Sequence, residues 1–170
     1  MAATATGAVA TRGPFAICTD PARFDFGMIH GFLTRSYWAQ GIDEATVRRS
    51  VQNSLCFGLF SAERQVGFAR VVTDRATFAY LADVFVIDQF RGQGLAKWMI
   101  EVILAHPDLQ RLRRWLLATR DAHDLYRQYG FTALPAPGRF MERYDGAVYQ
   151  QQQQSAPGAG ADSGPMGDPQ

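Results

Sequence analysis

Two stretches of this chain place reactive groups at spacings that suit chemistry. The first is Gln89-Phe90-Arg91-Gly92-Gln93-Gly94, which runs straight into a helical pattern. Gly92 and Gly94 lack a Cβ, so an incoming group can approach the main chain closely. The N–H groups of a first helical turn have no partner inside the helix, and with the helix dipole they suit phosphate oxygens. The second stretch is AHDLYRQYGF, residues 122–131. It sets the phenol of Tyr126 beside His123 on a short helix stopped at Gly130. A Gly-x-Gly turn alone also fits an ordinary strand-to-helix connection. A P-loop requires Gly-Lys followed by Ser or Thr, whereas Gly94 is followed by Leu95 and Ala96. A dinucleotide fingerprint requires a third glycine where this chain has Lys97.

The first stretch resembles the Gln/Arg-x-x-Gly-x-Gly/Ala motif of the GCN5-related N-acetyltransferases, the GNAT superfamily, with Gln89, Gly92 and Gly94 at its fixed positions. The strand Asp83-Val84-Phe85-Val86 ahead of it, and the later Ala122, Leu125, Tyr126, Gly130 and Phe131, are similar to the family's flanking segments in the same order. The resemblance covers roughly residues 15–144. It implies an α/β fold: a central mixed, mostly antiparallel sheet with a parallel central pair and helices on both faces.

The resemblance further implies acetyl-CoA as the donor and an amine as the acceptor. The backbone from Arg91 through Gly92, Gln93, Gly94, Leu95 and Ala96 would hold the pyrophosphate, with Arg91 and Lys97 adding charge. The backbone of Val84, Phe85 and Val86 would pair with the pantetheine arm, and Leu81–Val86 contains no proline to obstruct that pairing. The N–H of Val86 would stabilise the oxyanion, as a fixed donor needs little reorganisation. Tyr126 matches the family's general acid. A phenol near pKa 10 lies above a thiol near 8.5, roughly, so the safer role is a strong hydrogen bond to the departing sulfur. Packing of Tyr126 against the sheet is the alternative reading.

The general base is unassigned. Family members often carry a glutamate at the position of Ala82; Asp83 through water, His123 and His30 are the candidates. Thr119 stands where the family often has Asn, and a hydroxyl offers the cofactor one hydrogen bond rather than the amide's pair. The acceptor site falls, by the same resemblance, on the connection carrying Arg35, Tyr37 and Trp38, whose aromatics either enclose an amine or anchor the loop in the core. Cys56, in the apolar run LCFGLF, is either an acyl-carrying nucleophile or a buried inert thiol.

These groups need elements to hold them. Leu81–Val86 reads as a buried strand, and Leu95, Trp98, Met99, Val102 and Ile103 recur on one face of a helix from Gly92 to His106 ended by Pro107. Phe15–Thr19 reads as a strand, 25–35 as a helix, and Asp43 as the cap of a second helix reaching Asn53. Leu55–Ser61, Gln65–Thr73 and Thr77–Val86 read as antiparallel strands joined by short turns. Arg114–Thr119 follows as a parallel strand, then a helix over 122–129. Phe131–Leu134 and Phe140–Tyr144 are expected to finish the sheet.

The chain has 170 residues, of which 47% are hydrophobic, and a net charge of +1. One domain is expected over 14–146, flanked by a disordered leader at 1–13 and a disordered Gln/Gly/Pro-rich tail at 147–170. A near-neutral chain without a basic stripe gives no reason to expect nucleic acid, and no apolar run reaches membrane-spanning length. The two cysteines form no metal-type cluster, so no metal is expected and a reduced cytoplasm is the simplest setting. Monomer and homodimer are both open. The function expected is direct acetyl transfer to a primary amine; the alternative is an acyl-CoA-binding sensor, a degenerate transferase without turnover.

Overall fold

The computed structural model describes residues 7–150. Six strands form one sheet in chain order: β1 (Ala8–Arg12), β2 (Phe15–Cys18), β3 (Leu55–Ser61), β4 (Arg64–Thr73), β5 (Phe78–Val86) and β6 (Arg114–Leu116). Every neighbouring pair is antiparallel except β5 and β6, which run parallel. This is the mixed sheet expected of a GNAT-like α/β fold.

Helices α1 (Phe26–Leu33) and α2 (Glu44–Gln52) cover one face, and α3 (Leu95–Leu104) and α4 (His123–Arg127) the other. Leu55 through Phe60 are all buried, because a central strand covered on both faces has no solvent side. Helices α1 and α2 start where the sequence supplies a side-chain cap, whereas α3 and α4 start without one. Asp25 accepts from the Met28 N–H at 2.9 Å and Asp43 from the Thr46 N–H at 2.8 Å. Leu95, Trp98, Met99, Ile100 and Ile103 of α3 are buried, while Val102 is half-buried. Each fully buried apolar side chain contributes about 2 kcal/mol, more than the end effects at an uncapped helix start, so packing holds α3 in place.

Three expectations change. Ala8–Arg12, read as part of a disordered leader, pairs with β2 and is an edge strand. Its small and β-branched residues are half-exposed, so it lacks the apolar signature of an inner strand. Residues 1–6 and 151–170 of the expected leader and tail lie outside the described residues. Phe131–Leu134 and Phe140–Tyr144 form no strand. Pro135 and Pro137 break the run, a single 3-10 turn spans Pro137–Arg139, and Met141 (98% exposed) and Tyr144 (81%) have no apolar face to bury. β6 stops at Leu116 rather than Thr119. Among the described residues no helix is long and apolar enough to cross a membrane.

Candidate active site

The glycine corner is built from two left-handed residues. Gly92 has φ 77° and Gly94 has φ 70°, a region a side chain rarely enters. A Cβ at Gly92 would meet nothing within 4 Å, so the backbone angle, not space, selects glycine there. The first helical bond of this corner runs from the Trp98 N–H to the Gly94 carbonyl at 3.0 Å. Ahead of it, the N–H groups from Gly92 through Lys97 donate to no carbonyl among the described residues. Successive free N–H groups at the start of a ten-residue helix form a concave donor surface for anionic oxygens. Arg12 of β1 buttresses this corner: its guanidinium donates to the Gln93 carbonyl at 3.2 Å and lies 4.9 Å from the Trp98 ring centre. Arg91 turns back on its own loop, donating to the Val86 carbonyl at 3.0 Å and pairing with Asp88 at 3.0 Å. Lys97 is exposed.

The strand leading into the corner is open on one side. β5 and β6 pair only over Phe78–Tyr80 with Arg114–Leu116, so residues 81–86 have no strand beside them where β6 has ended. Ile87 donates to Val66 of β4 at 2.9 Å. Because strand N–H groups alternate in direction, the N–H of Val86 faces the open side.

Within this open stretch β5 carries a bulge. Phe85 pairs with Phe68 and Ala82 with Arg70, so β5 has one residue more than β4 in that interval. The extra residue inverts the strand's facing. Ala79 and Leu81 lie in the same core cluster as Val84 and Val86, although the first two are odd and the last two even. Asp83 sits at the inversion with φ 55°, a strained angle for a non-glycine residue. Its two carboxylate oxygens are both engaged: Arg70 Nε donates at 2.7 Å and Trp38 Nε1 at 3.1 Å. Arg70 also reaches the Ser54 hydroxyl at 3.3 Å.

Trp38 comes from the loop after α1, and that loop has a built shape. The buried Ser36 hydroxyl donates to the Leu33 carbonyl at 2.7 Å and accepts from the Ala39 N–H at 3.2 Å. With Leu33, Ser36 and Ala39 pinned inward, Arg35, Tyr37 and Trp38 are displayed outward; Tyr37 is 48% exposed and Trp38 42%. Neither aromatic is therefore a core anchor. Trp38 leans on Phe32, whose ring stacks on Phe85 of β5 at 3.8 Å. A cleft of about 550 Å³ opens here, bordered by Phe32, Arg35, Tyr37, Trp38, Arg64 and Gln89.

Tyr126 lies on the other side. It is 9% exposed and lines a larger cleft of about 990 Å³ with Trp115, Leu117, Thr119, His123 and Phe131. Burial, and then the nearby Tyr37 phenol, push the Tyr126 hydroxyl up to about 12. It stays protonated at neutral pH and so keeps a proton to donate. No group among the described residues accepts its proton. Tyr37 joins the two sides: its hydroxyl accepts from the Arg120 N–H at 3.2 Å, and the Arg120 guanidinium lies 4.0 Å from its ring centre. The Thr119 hydroxyl accepts from the Ala122 N–H at 3.0 Å, fixing the approach to α4 while its own proton stays available.

The remaining candidates separate. His30 Nε2 lies 3.0 Å from the Ile42 carbonyl, so its N–H ties α1 to the following loop and is spent structurally. His123 is exposed on the rim of the larger cleft. Cys56 is buried, and its thiol is pushed up to about 12 by that burial, which leaves almost no thiolate for an acyl-cysteine route. Among the described residues no group of His, Cys, Asp and Glu is arranged to hold a metal ion.

Residues 52–133 match the family model described as an acetyltransferase (GNAT) domain. A candidate acetyltransferase of Gibberella zeae is 31% identical over 137 residues, covering 68% of this chain and 77% of the relative. The chain belongs to the GNAT acetyltransferase family. A crystal structure of a candidate GNAT-family acetyltransferase from Xanthomonas campestris pv. campestris is 50% identical to this GNAT protein, with a TM-score of 0.78 over 79% of this chain and 96% of that one. A predicted acetyltransferase from Clostridium acetobutylicum, crystallised with acetyl-CoA, shares the fold at 12% identity and a TM-score of 0.56, over 76% of this chain and 94% of that one.

Within this GNAT domain, Trp38 meets Asp83 directly and Phe85 through Phe32, and Tyr37 lies near Tyr126. A 3-10 turn over Asp88–Phe90 joins β5 to the glycine corner. Arg70, Arg12 and Arg120 were absent from the sequence reading. Arg70 did leave a signal: an arginine inside the apolar run QVGFARVV of a central strand requires a buried acid as partner.

Proposed function

We propose that this GNAT chain transfers an acetyl group from acetyl-CoA directly to an amine nitrogen. One observation carries the reading: the unpaired side of β5 over residues 81–86 leads, through one short 3-10 turn at Asp88–Phe90, to the N–H groups of Gly92 through Lys97, which have no partner among the described residues. A ligand with an extended amide-bearing arm and a diphosphate fits that sequence of donors and acceptors, and acetyl-CoA has both. It supplies an activated thioester carbonyl.

In this reading the amine nitrogen forms a bond to the carbonyl carbon and the carbon–sulfur bond breaks. The proton lost by the nitrogen leaves to solvent, and the departing sulfur accepts a hydrogen bond from Tyr126. The buried phenol is a donor throughout. Val86 offers its N–H toward the open side, where an oxyanion would develop. Val84 and Phe85 bring the main chain alongside the arm. Asp83 is a positioning residue rather than a base, because its carboxylate already accepts from Arg70 and Trp38. It sets the indole that walls the acceptor side.

The test has two steps. Calorimetric titration of coenzyme A should give saturable binding. Release of free thiol from acetyl-CoA across an amine library, followed by the mass of the product, should identify an acetylated amine. No heat with coenzyme A overturns the reading. The occupied Asp83 carboxylate, next to Ala82, favours a second reading in which the chain binds acyl-CoA without turnover; saturable binding with no thiol release across the library selects it.

A further inference from the structure

The smaller cleft is asymmetric in charge. The Arg35 guanidinium makes no hydrogen bond or ion pair with any described residue, and it stands beside the exposed faces of Tyr37 and Trp38. Arg64, on the opposite rim, is held by the Gln89 side-chain oxygen at 3.1 Å, a neutral partner that leaves its charge uncompensated. Among the described residues the one carboxylate on this rim, Asp88, is 84% exposed at the side chain and paired with Arg91 at 3.0 Å. The remaining acid nearby, Asp83, is neutralised by Arg70 behind the Trp38 indole. A cationic acceptor would therefore meet two guanidinium groups and no free carboxylate at the cleft mouth.

We propose that the acceptor is an amine that also bears an anionic group, a carboxylate or a phosphate, read by Arg35 with Arg64 while Tyr37 and Trp38 enclose the segment between the two ends. This deepens the acetyltransfer reading and rests on it. The local geometry supports the assignment. The Ser36 pins fix the loop, so Arg35 is displayed by a rigid support instead of an adaptable one. A guanidinium presents a planar fork that suits both carboxylate and phosphate. The Trp38 indole is fixed by Asp83, so the wall beside that fork is also preset.

The experiment uses matched probes that differ only in the anion: O-phosphoethanolamine against ethanolamine, and β-alanine against propylamine. Each is titrated into the full chain saturated with coenzyme A, and binding is followed by indole fluorescence with Trp38→Phe as the reference for the signal. The same probes are run in the thiol-release assay. The expected result is that at least one anionic member of a pair binds about tenfold or more tightly than its neutral partner. Arg35→Ala should abolish that preference by weakening the anionic probe alone. In turnover the effect should fall on the acceptor KM and leave the coenzyme A affinity unchanged. Equal binding within both pairs, stronger binding of the neutral members, no binding of either anionic probe, or an equal effect of Arg35→Ala on both members overturns the proposal. Loss of coenzyme A binding itself, seen in the saturation step, reports instead on the acetyltransfer reading.

Discussion

The Arg70 guanidinium and the Asp83 carboxylate meet at 2.7 Å across adjacent strands, at the point where β5 gains its extra residue. The pair holds a side chain that its backbone angle disfavours. It also fixes Trp38 through the second carboxylate oxygen, so one ion pair sets both the kink of the strand and a wall of the smaller cleft.

Removing one partner should be costly. Arg70 is 19% and Asp83 10% exposed at the side chain, so Arg70→Met leaves a nearly buried carboxylate with only the indole as donor. We expect a loss of about 3 kcal/mol in denaturant-derived stability. The double change Arg70→Met with Asp83→Asn should recover part of it, and the double-mutant cycle measures the coupling.

Tyr126→Phe deletes the donor and leaves the ring packed against Phe131. Steady-state kinetics with an identified acceptor should show kcat reduced roughly a hundredfold, with KM for acetyl-CoA little changed. With the phenol raised to about 12, its deprotonation should produce no falling limb near neutral pH. The wild-type rate should instead rise with pH as the acceptor amine loses its proton. An unchanged kcat in the variant removes Tyr126 from the chemistry.

Gly94→Ala forces a side chain into φ 70° at the start of α3. The strain costs about 1 kcal/mol, a drop of a few degrees in Tm. Coenzyme A affinity should fall further, by about tenfold, since the donor surface itself is displaced; calorimetry on folded variant protein separates the two effects.

Asp74 organises the turn between β4 and β5. Its carboxylate accepts from the Thr77 hydroxyl and from the N–H groups of Thr77, Ala76 and Phe78, which hold its pKa well below the usual carboxylate range. The folded value lies below the unfolded one. The stabilisation is therefore complete above the unfolded carboxylate's pKa, about 4, and is lost as pH falls through the folded value. Asp74→Ala should melt at a lower temperature than wild type near neutral pH, and the gap should close in strong acid. A gap that persists unchanged at low pH contradicts this.

What was legible in the sequence follows from how narrowly each residue constrains its place. Gly92 and Gly94 announce a backbone that other residues avoid, and Asp43 sits where a helix needs an acceptor, so both positions were readable. The bulge was not. LADVFV is apolar in both alternating sets, which leaves no mark where the facing inverts, and the residue at the inversion is an aspartate rather than a glycine. The missing last strands failed for the converse reason. FTAL and FMERY have strand-forming residues, but strand propensity needs a buried face, and Met141 and Tyr144 find none. The open side of β5 depends on where β6 ends, a long-range property that no local pattern in either strand encodes.

Arg12 closes over the Gln93 carbonyl from the far margin of the sheet. A shortened version starting at Phe15, the choice a designer would make from the apolar pattern alone, would discard that latch along with β1. Such a trimmed protein keeps both glycines and the phenol yet surrenders the brace behind the corner proposed to hold the diphosphate, so weak nucleotide retention in it would reflect the cut and not the fold.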